Sequence, residues 1–208
     1  MMRRACLVCA VLTLLAAPAR GQVRVGGFAD IGVTTFAADD SFANVLGSNQ
    51  GIVFGGGVEA RHPSGVFGNV RVSRFRADGE RVFLFEGQRF PLGVPMTVTV
   101  TPVVFTGGYR LQQWNRLVPY GGAGIALHRY TESSEAADDE EDVSELFTGY
   151  HLVGGLEYRL SRLFAAAGEA EWATVPDALG HDPRGVAAGF DEHNLGGVSI
   201  RVKIVVGR

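Results

Sequence analysis

Two carboxylates, Glu169 and Glu171, stand two residues apart, so an extended strand would show both on one face. Paired carboxylates do the work of glycoside hydrolysis. They also make the acidic half of a structural ion network, and Arg201 and Lys203, again two residues apart, supply the basic half. The ionic reading is taken here, because a narrow filled interior leaves no room for a sugar ring. Histidine occurs at positions 62, 128, 151, 181 and 193 with no shared metal-ligand spacing. His181-Asp182 and Asp191-Glu192-His193 lie in one long connection and are expected to be solvated loop polars. The chain has a single lysine, Lys203, so a phosphate-cradling GxxxxGK[ST] loop is excluded, and GxSxG, HExxH and EF-hand patterns are absent. No catalytic residue, metal ligand or cofactor is therefore assigned, and the protein is expected not to be an enzyme.

Composition narrows the class. The chain has 208 residues, 29 of them glycine, with 46% apolar and 20% charged content. That is too apolar for disorder, and no stretch of about 18 apolar residues makes a transmembrane helix. Both cysteines, Cys6 and Cys9, fall in the first ten residues, which excludes a disulfide scaffold or cysteine zinc site in the remainder. Arg3 and Arg4, an apolar run over 5–17 and small residues at Ala17, Ala19 and Gly21 read as a secretory signal peptide over 1–21. The mature domain, 22–208, then has 16 basic and 22 acidic residues, a net charge of −6, which argues against nucleic acid as a partner.

The elements that would hold the charged residues repeat with a period of two. Over 150–160, Tyr150, Leu152, Gly154, Leu156, Tyr158 and Leu160 share one face, and His151, Val153, Gly155, Glu157 and Arg159 the other. Phe164, Ala166, Gly168, Ala170 and Trp172 likewise oppose Ala165, Ala167, Glu169 and Glu171. Eight such segments are read: 22–36, 51–62, 66–76, 97–110, 118–130, 147–160, 163–174 and 194–207. Pro102 and Pro119 interrupt two of them and are read as bulges that flip the phase.

Connection lengths alternate, short at 62–65, 111–117 and 160–162, long at 37–50, 77–96, 131–146 and 175–193. Alternating hairpins put every long loop at one end and both termini at the other, as in membrane barrels. The apolar face carries aromatics at both ends of a strand, Tyr150 with Tyr158 and Phe164 with Trp172. Eight residues at about 3.3 Å each, allowing for tilt, approach the ~25 Å band between aromatic girdles. The opposite face gathers Asp30, Glu59, Glu157, Glu169 and Glu171 with Arg24, Arg61, Arg71, Arg159, Arg201 and Lys203. That mixture suits a narrow, salt-bridged interior of an eight-stranded barrel. The acid run from Glu132 to Glu145 reads as a solvated loop. The stretch "RVFLFEGQRFPLGVP" reads as a hairpin rising above the membrane or an extension of the third and fourth strands.

The pieces "VRVGGFADIGVTTF", "PYGGAGIALHRY", "GYHLVGGLEYRLS" and "NLGGVSIRVKIVVG" resemble the small outer-membrane β-barrel proteins, the OmpA-like and OmpW-like group, over 22–208. The chain ends Val206-Gly207-Arg208 where such barrels usually carry an aromatic residue. The resemblance implies an all-β, eight-stranded antiparallel up-and-down transmembrane β-barrel in the bacterial outer membrane. It implies outer-membrane lipid, lipopolysaccharide and the barrel assembly machinery as partners, a monomer, and no peptidoglycan-binding domain. The expected function is a structural or surface-interaction role. The alternative is a narrow channel or transport barrel for small or apolar solutes.

Overall fold

Alternating side chains force a strand to choose which face meets which solvent, and this chain chooses the reverse of a soluble protein. Along β7 (Phe164–Thr174) the inward residues are Ala165, Ala167, Glu169 and Glu171, while Phe164 and Trp172 face out. Along β8 (Gly197–Val206) Ser199, Arg201 and Lys203 are buried and Val198, Ile200, Val202 and Ile204 are exposed. Outward Ile200 and Val25 are 67% and 66% exposed, whereas inward Glu157 and Glu59 keep only 1% and 2% of their surface. An apolar exterior this continuous calls for an apolar solvent.

The computed structural model describes residues 22–85, 88–111, 116–134, 143–180 and 186–207. The remaining strands are β1 (Arg24–Phe36), β2 (Gln50–Arg61), β3 (Val66–Phe85), β4 (Gln88–Arg110), β5 (Leu117–Ser134) and β6 (Val143–Arg159). Each pairs antiparallel with the next, and β8 pairs with β1, so the sheet closes as an eight-stranded up-and-down barrel. No helix among the described residues is long and apolar enough to cross a membrane.

The structure decides one alternative left open by the sequence and departs from its expectations in two places. The stretch 77–96 is an extension of the third and fourth strands: β3 and β4 pair out to Phe85 and Gln88, with one irregularity between Glu80 and Val82. The connection 37–50 contains a helix, α1 (Asp39–Leu46), closed by Gly47 in the left-handed conformation at φ 78°. Pro102 and Pro119 flip no phase. Register between β4 and β5 runs without a shift from Met96↔Ser134 to Arg110↔Tyr120, and β5 against β6 is likewise unbroken. Even-numbered residues from Met96 to Arg110 and from Val118 to Tyr130 keep facing the interior. The β3–β4 ladder skips the pairs at Thr101 and Pro102 and resumes in the same register at Phe75↔Val100, so Pro102 interrupts the ladder without turning the strand over; Pro119 stays paired with Leu156, and its carbonyl accepts from the Leu111 N–H at the end of β4.

Tyr150, Tyr158, Phe164 and Trp172 all face outward, 44–57% exposed. The register sets Tyr158 and Phe164 near the terminus end and Tyr150 and Trp172 near the loop end. Most of the acid run, 135–142, and the His181-Asp182 pair lie outside the described residues.

Candidate functional site

The interior is built in storeys, and its contents follow from which strand residues are even or odd. Nearest the termini, Arg110 of β4 donates from Nη1 to Glu59 Oε1 at 2.8 Å and from Nη2 to Glu157. Arg61 donates from Nε to the same Glu59 oxygen at 2.5 Å, with its Nη2 3.9 Å from Glu157. The Arg110 guanidinium lies 4.8 Å from the ring centre of Tyr120 and 5.6 Å from that of Phe67. These two rings meet edge to face at 6.0 Å. Each aromatic ring rests on a glycine of the neighbouring strand. A Cβ at Gly155 would stand 2.3 Å from the Tyr120 ring, and one at Gly108 would stand 2.6 Å from the Phe67 ring. Only glycine leaves that space.

The middle storey is denser. Arg71 reaches across the lumen from β3 to β7, donating to Glu169 Oε1 at 2.7 Å and to Glu171. Lys203 Nζ and the Tyr120 hydroxyl both donate to Glu169 Oε2, at 2.7 and 2.9 Å. Arg201 Nη1 lies 3.1 Å from Glu171, and its Nε lies 3.8 Å from Asp30. Lys203 also sits 4.4 Å over the Phe28 ring. All of these charged groups are buried; the neighbours of Glu169 replace the water it lost, whereas both Asp30 oxygens are left without a hydrogen-bond partner among the described residues.

Above them a polar collar surrounds a cavity of about 50 Å³. Ser199 Oγ donates to Thr34 Oγ1 at 3.0 Å, and Thr106 Oγ1 pairs with His151 Nε2 at 3.0 Å; His128 is buried at the same level. An apolar lid follows. Phe36 stacks on Phe42 of α1 at 4.1 Å and meets Phe75 edge-on at 4.8 Å, with Met96, Val98, Val100, Tyr130 and Leu195 around them. The lid is latched by Glu192 from the neighbouring β7–β8 connection. Its carboxylate accepts from the backbone N–H of Asp40 at 3.1 Å and of Ser41 at 2.8 Å, and from the Ser41 hydroxyl. Glu192 thereby caps α1, and although Asp39, Asp40 and Glu192 cluster closely, the helix N–H groups account for the Glu192 oxygens. Next to it, His193 Nδ1 lies 3.2 Å from the Leu179 carbonyl and Nε2 lies 3.1 Å from Asp191. The Leu179 carbonyl first, then the Asp191 carboxylate, hold the imidazolium above the usual histidine pKa.

Of the ten residues read from sequence as an interior charge network, nine fall into these storeys, Asp30, Glu59, Arg61, Arg71, Glu157, Glu169, Glu171, Arg201 and Lys203. Arg159 lines the mouth below them, beside Arg110. Arg24 sits exposed at the rim. Ladder partners are not the ion partners. Glu169 faces Arg201 in the ladder, but its ion partners are Lys203 and Arg71, while Arg201 takes Glu171. Side chains lean along tilted strands, so heads meet diagonally. Sequence reasoning passed over Arg110, Tyr120 and the hydroxyl collar, because a phase flip expected at Pro102 and Pro119 left the facing of both strands open. It also passed over a His-x-Ser pair, His62 and Ser64, whose Nδ1 and Oγ lie 2.8 Å apart. The ring nitrogen there accepts from the Ser64 backbone N–H and serves the β2–β3 turn.

No curated protein sequence matches this chain. Among solved structures, Neisserial surface protein A (NspA) superposes with a TM-score of 0.55 at 10% identity, covering 89% of this chain and 97% of that one. A major outer membrane protein from Thermus thermophilus gives 0.50 at 10% identity, over 88% and 98%. At these identities the likeness shows the fold alone. The family model described as outer membrane protein beta-barrel domain matches residues 6–191, most of the chain, and indicates the bacterial outer membrane. The chain belongs to the outer membrane β-barrel domain family.

Proposed function

We propose that the protein is exported by a cleaved segment over 1–21, inserts through the barrel assembly machinery, and serves as a monomeric, non-enzymatic surface or structural barrel among outer-membrane lipid and lipopolysaccharide. The observation that carries this reading is the filled lumen. Arg71, Glu169, Glu171, Arg201 and Lys203 interlock in one storey, and the Phe36–Phe42–Phe75 lid lies above it. A stack of buried ion pairs offers water no continuous path, which leaves the loops and outer wall as working surfaces. Reconstitution in a planar bilayer tests it. A folded sample whose gel mobility changes on boiling should give no unitary steps; stable conductance steps would favour a channel.

One observation favours the second reading, a transport barrel for small apolar solutes. Phe42, Val45, Leu46, Met96, Val98 and Leu179 line a cup of about 560 Å³ on the loop side of the lid. Uptake of an apolar dye into proteoliposomes, faster than into protein-free vesicles, would support it.

A further inference from the structure

The terminus end of the barrel is cationic by composition. Its turns, 62–65, 111–116 and 160–163, contain no aspartate or glutamate. The residues there include Arg24, Arg61, Arg110, Arg116, Arg159 and Arg162, against Glu59 and Glu157. Both carboxylates are already engaged by Arg110, and Glu59 by Arg61 as well. The surplus positive charge surrounds a cavity of about 170 Å³ lined by Arg24, Arg61, Arg110 and Arg159. The Arg110–Glu59–Glu157 cluster and buried Val118 close its inner end.

The cavity opens sideways. Arg24 and Arg159 also line a hollow of about 740 Å³ at the rim, shared with Arg162, Val23 and Val25. Val25 in turn lines a groove of about 490 Å³ on the outer wall, with Val58, Val70 and Phe105. The groove exists because Gly68 and Gly107 face each other across the β3–β4 ladder. A Cβ at Gly107 would meet nothing within 4 Å. A cationic pocket thus continues, over one rim, into an apolar furrow on the face turned toward hydrocarbon.

We propose that this composite site binds one anionic phospholipid of the periplasmic leaflet, with its headgroup phosphate among Arg24, Arg61 and Arg159 and an acyl chain in the Val25–Gly107 furrow. The assignment of the leaflet rests on the reading that the termini face the periplasm. Guanidinium groups suit phosphate because they donate in a planar fork and stay charged. The apolar furrow distinguishes a lipid from a free phosphate, which would use the pocket alone.

The experiment is native mass spectrometry of the folded barrel in detergent, titrated with phosphatidylglycerol or with phosphatidylcholine of the same acyl chains. One phosphatidylglycerol per barrel should be retained and phosphatidylcholine should not. Exposed Arg24 and Arg162 can change without stranding an interior partner, so R24Q/R162Q should weaken retention at least tenfold, and Gly107→Leu, which fills the furrow, should do the same. Arg129→Gln, at the loop end, should leave retention unchanged. Equal binding of the two lipids, unchanged retention in the variants, or displacement by millimolar inorganic phosphate would overturn the proposal, the last assigning the mouth to a free anion. The boiled-versus-unboiled gel shift of the same samples reports separately on the barrel, and a symmetric titration in detergent does not depend on which way the barrel faces.

Discussion

Glu169 receives three hydrogen bonds, from Arg71, Lys203 and Tyr120, in a place without bulk water. Removing its charge strands Lys203 and leaves Arg71 with Glu171 alone, so Glu169→Leu should lower stability by about 3–5 kcal/mol. Adding Lys203→Met should recover part of the loss, whereas adding Arg201→Leu should not, since Arg201 belongs to Glu171 and Asp30. Urea midpoints of the four detergent-folded proteins decide this. Gly155→Ala tests the packing beneath the same network: the new methyl would displace the Tyr120 ring and cost about 1–3 kcal/mol. His193 gives a pH signature on the loop side. Its folded-state pKa is raised, so its contribution is fully present below the ordinary value of about 6.5 and is lost as pH rises through the folded value. Amide exchange over 175–180 and 186–195 should therefore be slower at pH 5.5 than at pH 8, after correction for intrinsic rates, with Asp191 and Asp177 as the charges facing the ring. The members of the network were legible because a period of two sorts them without knowledge of partners. Arg110 and Tyr120 were not, because proline in a strand has two readings, bulge or tolerated ladder position, and only hydrogen bonding separates them.

Helix α1 shows a different limit. Its eight residues, DDSFANVL, carry no side-chain cap of their own at Ala38. The cap is Glu192, 152 residues away from Asp40. Asp39 and Asp40 in the first turn and Gly47 after the last are its only local signals, too weak to mark an eight-residue helix that is marginal in isolation. Glu192→Ala should speed exchange in 39–46 by the roughly 1 kcal/mol a cap contributes while the barrel strands stay protected. The β3–β4 extension was ambiguous for another reason. Alternation is the same in a strand that stays in the bilayer plane's shadow and in one that rises past it, so length had to come from pairing. The acid run between β5 and β6 calls for a topological test. If 131–146 is the solvated loop its sequence indicates, an epitope after Ala137 should be labelled on intact cells with the heat-shifted gel band retained, since exposed tips tolerate insertion; labelling only after permeabilisation would invert the assigned orientation.

Across the whole molecule, apolar residues cover the outside and ions fill the inside, and that inversion was readable because the face of each strand could be judged by its chemistry alone. The pairing of ions was not readable, because it runs across the lumen between strands far apart in sequence. Arg71 and its carboxylates are separated by 98 and 100 residues. This separation dictates an order of construction. When β3 is in place and β7 is not, Arg71 has neither Glu169 nor Glu171, and an unfinished sheet lying in lipid would turn a bare guanidinium toward hydrocarbon. Asp30 waits in the same way for Arg201 on the last strand. A curled, half-made wall therefore has no resting place in the bilayer. Its concave side must stay against water or another protein until the first and last strands meet, and closing that seam and committing the chain to the membrane become a single event.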